Sequence, residues 1–217
     1  MVEKLALRRL NMSKVTVELS MSLDGFIAGP NDGPENGLGD GGDRLFKWYS
    51  SGDTDFPLPG TDMVFKISRA SAGFLQDHWL NIGASITGRR TFDIAHGWGG
   101  NPPGGAEAKY FVVTHSVPQE WVKDESPFTF VTDGVENAVE KAKQAAGDKN
   151  VDLMGASIVQ QCIKAGLVDE IQIDLAPVLL GGGVSLFDYL GNGPIDLERI
   201  KVVEGLNVTH LRFRVVK

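Results

Sequence analysis

The chain is poor in the features that mark several common classes of protein. It has a single cysteine, Cys162, in 217 residues, so no internal disulfide and no cysteine-based zinc cluster can form. That scarcity suits a reducing compartment, and a cytoplasmic location is expected. No apolar run reaches the roughly 18 residues that a membrane helix needs. Basic residues are in deficit, with 21 Lys and Arg against 28 Asp and Glu and a formal net charge of −7. A non-specific nucleic-acid binder would need a basic stripe instead. His96 and His115 stand alone in the sequence, without the second and third ligands of a metal site. No G-x-S-x-G elbow occurs, and Ser20, Ser22 and Ser157 lack the His and Asp pattern of a hydrolase triad.

What is present is an ordinary globular balance, 42% apolar and 23% charged residues, in a chain long enough to bury a core without staples. Residues 1–12 are expected to be a tail, ending at a second start, Met12. Arg8 and Arg9 accompany an apolar stretch too short for a signal peptide. The sequons at Asn11 and Asn207 carry little weight without a secretion signal. Residues 13–217 are expected to form one domain with a Gly/Pro-rich insertion near 30–60. Loops of that length are functional covers or flexible insertions.

Period-2 and continuous apolar runs predict strands at Lys14–Met21, Ile82–Thr87, Lys109–Thr114, Phe128–Thr132 and Val151–Met154. "DEIQIDLAP" alternates, which predicts a strand over Ile171–Leu175 with one more exposed face. Lys201–Val203 and Val208–Val216 close the chain as strands with no helix between them, so they should pair antiparallel. Helix-compatible spacing covers Met63–Trp79. Asp133 with Glu136 three residues on reads as a capping box for a helix over Gly134–Ala146, stopped by Gly147. Strands alternating with helices imply an α/β domain with a mostly parallel sheet.

Three strand ends share a composition. "GRRTF" (Gly88–Phe92), "VVTHS" (Val112–Ser116) and "MGAS" (Met154–Ser157) each end an apolar strand in small or donor-rich residues. Arg89 and Arg90 sit at a helix start, where the macrodipole disfavours cations. Either both extend into water or an anion visits. An α/β sheet offers such corners to a phosphate-bearing ligand at its carboxyl edge. By contrast "GLGDGG" (Gly37–Gly42) satisfies G-x-G-x-x-G only formally. It has no strand before it or helix after it, and Asp32, Glu35, Asp40 and Asp43 crowd it. Asp24 in "SLDG" is a turn-former on generic grounds. Trp98 either closes over a ligand or plugs a loop.

Taken in order, "VTVELSMSLDGFIAG", "GRRTF", "YFVVTHSVP" and "LMGASIVQQCIKAGLVDEIQIDLAPVLLGGGVSLF" resemble the dihydrofolate-reductase-like superfamily, and within it the stand-alone relatives of the riboflavin-biosynthesis reductase domain. The resemblance implies a mainly parallel central sheet flanked by helices, with a C-terminal antiparallel strand pair. It implies NADPH as hydride donor, a small-molecule substrate and a homodimer. Gly88, Arg89, Arg90 and Thr91 match the corner on the adenosine-side phosphates. Thr114, His115 and Ser116 match the strand end beside the adenine ribose and its 2′-phosphate. Gly155, Ala156, Ser157, Ile158 and Val159 match the turn that cups the pyrophosphate. Ser20 and Ile27 match residues flanking the nicotinamide, and Asp24 lies beside the cofactor–substrate junction as the candidate catalytic group.

The departures matter equally. Met63–Gln76 holds no Asp or Glu, where dihydrofolate reductases carry the carboxylate that holds the pterin. Met154 stands where riboflavin-pathway reductases have Glu, Ala156 replaces the second Gly, and the zinc deaminase signature is absent. The expectation is therefore an NADPH-dependent reductase of a small polar substrate, pyrimidine- or pterin-like or a sugar phosphate. It resembles 5-amino-6-(5-phosphoribosylamino)uracil reductase. The Pro30–Gly60 segment would be a lid with Phe46 and Trp48 as apolar contacts. The rivals are a nucleotide-binding module without turnover and a true dihydrofolate reductase.

Overall fold

Each apolar run of the sequence becomes a strand, and the turns between them decide how the strands stack. A computed structural model describes residues 13–104, 108–191 and 193–217. The expected tail, with Met12 and Asn11, lies outside the described residues. In chain order the elements are β1 (Val15–Ser22), β2 (Phe26–Ala28), a 3-10 segment (Gly42–Ser50), β3 (Thr54–Pro57), β4 (Val64–Ile67), α1 (Arg69–Trp79), β5 (Ile82–Gly88), α2 (Arg89–Ile94), β6 (Lys109–Val113), β7 (Phe128–Val131), α3 (Val135–Ala146), β8 (Asn150–Met154), α4 (Ala156–Lys164), β9 (Glu170–Ala176), β10 (Val184–Ser185), β11 (Leu197–Gly205) and β12 (Val208–Val215).

Eight strands form one sheet in the order β11-β12-β9-β1-β8-β5-β6-β7. From β9 to β7 every pairing is parallel. β12 is antiparallel to β9 and β11 to β12, the C-terminal pair the sequence predicts. Parallel strands need helical crossovers, and these cover both faces. On one face α3 and α4 pack Val135, Ala138, Val139, Ala142, Ile158, Val159, Cys162 and Ile163 onto Val15, Val17, Ala84, Ile86, Val151, Leu153, Ile171 and Ile173. The spacing within α3 is i, i+3, i+4, i+7, one helical stripe. Each large aliphatic side chain buried this way contributes roughly 1.5–3 kcal/mol. Cys162 is fully buried there, and burial pushes its thiol up to about 12. The opposite face lies under α1, α2 and the 3-10 segment.

Four expectations change. Val64–Ile67 is a strand paired with Thr54–Pro57, so the helix starts at Arg69, where the Ser68 side chain accepts from the Ser71 amide. The cap of α3 is Gly134 and makes no side-chain bond. Asp133 turns instead to Lys141 at 3.1 Å. β9 is not half-exposed: Gln172 and Asp174 are buried, because β9 lies between β1 and β12 with layers on both sides. Finally, the Pro30–Gly60 segment is structured, and Trp48 is core rather than lid. Its Nε1 donates to Ser20 Oγ at 3.2 Å, and its ring packs with Phe56, Ile67, Leu75 and Val208.

Candidate functional site

Parallel pairing points the carboxyl ends of β1, β8, β5 and β6 the same way. The register then aligns them: Thr87 pairs with Met154 and Gly88 with Val113. The three corners singled out in the sequence consequently open into one cleft of about 860 Å³. Gly88, Arg89, Arg90, Thr91, Thr114, His115, Ser116, Gly155, Ala156, Ser157, Ile158 and Ile27 all line it. The sheet order places Leu19 and Ile27 at one end and Thr114, His115, Thr132 and Gly134 at the other.

Gly155 explains the opening of α4. It has φ 91°, where L side chains are strained, and a Cβ there would collide with Thr91 Oγ1. Only glycine lets the β8 corner close against α2. The N-terminus of α4 has no side-chain cap, so the amides of its first turn remain available to an acceptor. The two arginines have protein partners. Arg89 Nε donates to Asp93 at 2.8 and 2.9 Å, and its Nη1 donates to the Ser116 carbonyl at 2.9 Å. Arg90 Nη2 donates to Asp32 Oδ1 at 2.7 Å and to the Asp32 carbonyl at 2.8 Å. The loop carrying Asp32 also meets His96 through the Pro34 carbonyl at 3.1 Å. It thereby runs from β2 across to α2, roofing the cleft.

Three sequence-predicted residues lie off the cleft lining. Val159 is buried in the helical core, because it sits on the inner stripe of α4. Ser20 is buried beneath Trp48. Asp24 is exposed, and its carboxylate accepts from Ser22 Oγ at 2.6 Å and from the Leu180 and Gly181 amides at 3.1 and 2.7 Å. The Ser22 hydrogen bond, followed by those amides, holds its carboxyl below the usual range. A carboxylate so stabilised is a clamp for the Leu180–Gly181 loop and a poor proton donor. Trp98 plugs its loop, packing beside Tyr110.

Sequence reasoning passed over Asp32, Leu38 and Tyr189 as cleft-lining residues. It also missed a buried polar chain on the face under α1. Asp174 Oδ1 lies 2.6 Å from His210 Nδ1, and His210 Nε2 lies 2.8 Å from Ser71 Oγ. Burial lowers His210 to about 4, so the neutral ring donates from Nδ1 and accepts from the Ser71 hydroxyl. Burial raises Asp174 to about 6. Burial, then the neighbouring Asp174, holds Glu18 well above the usual carboxylate range. Asp174 Oδ2 is buried without a hydrogen-bond partner among the described residues. The Ser–His–Asp order has the geometry of a hydrolase triad, but all three residues are 1% exposed or less. A Cβ on Gly205 would strike Ser71 Oγ, so no substrate can enter. Among the described residues no group of His, Cys, Asp and Glu is placed to hold a metal ion.

A sequence profile described as RibD C-terminal domain matches residues 13–211. The chain is 27% identical over 189 residues to the uncharacterized protein YyaP of Bacillus subtilis (strain 168), covering 82% of each. Among solved structures, a protein from Shewanella sp. PV-4 assigned provisionally to riboflavin biosynthesis superposes with TM-score 0.66 at 24% identity, covering 94% of this chain and 99% of that one. A Thermotoga maritima diaminohydroxyphosphoribosylaminopyrimidine deaminase/5-amino-6-(5-phosphoribosylamino)uracil reductase superposes with TM-score 0.59 at 12% identity, over 98% of this chain and 59% of that one. The architecture is dihydrofolate-reductase-like, as the motif order implies.

Proposed function

The chain belongs to the RibD C-terminal domain family, and from that premise we propose that it is an NADPH-dependent reductase of a small molecule. The observation that carries this is the alignment of Gly88, Val113 and Met154 on adjacent rungs, which turns three separate corners into one groove. The groove fits a dinucleotide: Gly155 lets the β8 corner close against Thr91, and uncapped amides follow at Ala156, Ser157 and Ile158. These would hold the pyrophosphate. Arg89, Arg90, His115 and Ser116 would take the adenosine end. Ile27 and Leu19 would flank the nicotinamide, which when bound supplies the hydride. The protein's own part is to orient and to exclude water. The proposal takes residues 13–217 as one domain, since the eight-stranded sheet draws on strands from both ends of that range.

Calorimetric titration with NADP⁺, then absorbance at 340 nm with NADPH and a panel of carbonyl, imine and pterin compounds, tests the reading. We expect binding and consumption. Arg90→Ala should weaken NADPH more than NADH if its guanidinium meets the 2′-phosphate, and no binding of either would defeat the proposal. The second reading, a nucleotide-binding module without turnover, is favoured by the clamped state of Asp24. Binding without consumption would select it.

A further inference from the structure

The β1 end of the cleft differs in chemistry from the rest. Leu19, Ile27, Leu38 and Phe46, carried by β1, β2 and the segment that follows, line it, and Met154 lines the cleft from the neighbouring strand β8. The segment after β2 folds back over this end, since the Gly29 amide donates to the Leu38 carbonyl at 2.8 Å. Phe46 lies 5.5 Å from the Tyr49 ring, in a segment that Trp48 anchors to Ser20 and to the core.

The cations of the cleft stand on α2, after β5 rather than beside β1 and β2, and the dinucleotide reading gives both to the adenosine end. Arg89 holds Asp93 and the Ser116 carbonyl, and Arg90 holds Asp32. Asp188, at the mouth, would repel an anion. Among the described residues no lysine lines the cleft. A phosphate-bearing reactant here would lose its hydration and gain no cation, a strongly unfavourable exchange. An apolar one would leave water for a wall that already excludes it.

Resting on the dinucleotide reading of the rest of the groove, we propose that this end takes a neutral, predominantly apolar small molecule. An anionic ribosyl-phosphate pyrimidine, the reactant implied by the family resemblance, does not suit it. Met154 is the specificity-determining residue: it presents a thioether where a pyrimidine-reading carboxylate would otherwise stand.

The test uses the full chain and two probes, benzylideneacetone as a neutral ketone and ribose 5-phosphate as an anionic sugar, each titrated calorimetrically with and without saturating NADP⁺. The ketone should bind at least about tenfold more tightly than the sugar phosphate, and Met154→Glu should weaken it by about tenfold or more. Leu38→Glu provides a second variant, because Leu38 is 41% exposed and its replacement does not threaten the fold. Thermal melts confirm that both variants are folded. Equal or tighter binding of ribose 5-phosphate, or unchanged ketone affinity in Leu38→Glu, would overturn the inference. Ketone binding to a protein that ignores NADP⁺ would instead uphold the apolar end and remove the dinucleotide reading.

Discussion

Along β1, Val15, Val17, Leu19 and Met21 look toward α3 and α4, while Thr16, Glu18, Ser20 and Ser22 look toward α1 and the 3-10 segment. The first set joins a core of aliphatic side chains. The second joins Asp152, Gln172, Asp174, His78 and His210, all buried. One sheet is thus held by dispersion and area on one face and by hydrogen-bonded ionisable groups on the other. The first tolerates repacking, since volume can be redistributed. The second does not, because removing any member strands a partner without water. The two faces meet at the carboxyl edge, where the cleft takes its lining from both.

The largest expected effect breaks the polar face. Asp174→Ala leaves the His210 Nδ1–H without an acceptor, and should lower unfolding free energy by about 3–5 kcal/mol in urea titrations. Leu153→Ala on the apolar face should cost about 2–5 kcal/mol, with no change in pH dependence. An Asp174→Ala penalty well below that of Leu153→Ala would mean that the polar chain is incidental.

The next effect is in pH. Glu18 is held up by burial and by Asp174, so the folded state keeps a proton that the unfolded state releases. For His78, burial opposes the charge, but the hydrogen bond and field of Asp152, at 3.4 Å, outweigh it and raise the group above 6.5. Stability from both groups is present at low pH and lost as pH rises. His210, lowered to about 4, acts in the opposite sense only below 6.5. The melting temperature should therefore fall as pH rises above 6.5, and Glu18→Gln should flatten the fall. A rise above pH 6.5 would sink this account.

The smallest effect concerns the edge. Asp32 and Arg90 form an ion pair in which the arginine side chain is 66% exposed, and such pairs contribute about 0–1 kcal/mol. Asp32→Asn should remove the competing charge while the Asp32 carbonyl still holds the guanidinium, and raise NADP⁺ affinity a few-fold, up to about fivefold, by calorimetry. Weaker binding would show that Asp32 positions Arg90 rather than competing for it.

The apolar face was legible in the sequence and the polar face was not. Continuous runs such as "IGASIT" can only be strands covered on both sides, and small residues at Gly88 and Gly155 mark where they stop. The alternation of "IQIDL" reads equally well as a solvated face, and only the layer above it makes Gln172 and Asp174 internal. Ser71, Asp174 and His210 come from α1, β9 and β12, so no local window contains their relation. Asp32 and Leu38 were obscured by the Gly-rich context of a loop whose course depends on Arg90 and His96. Asp24 looked chemically poised because the amides that occupy it lie more than 150 positions away.

The sealed thiol of Cys162 makes the protein an unusually clean host for optical reporters. An alkylating dye finds nothing to modify in the native chain. A cysteine introduced at position 38 would therefore carry the only label, on the roof of the groove, and each arrival or departure beneath it could be followed by emission from a single place.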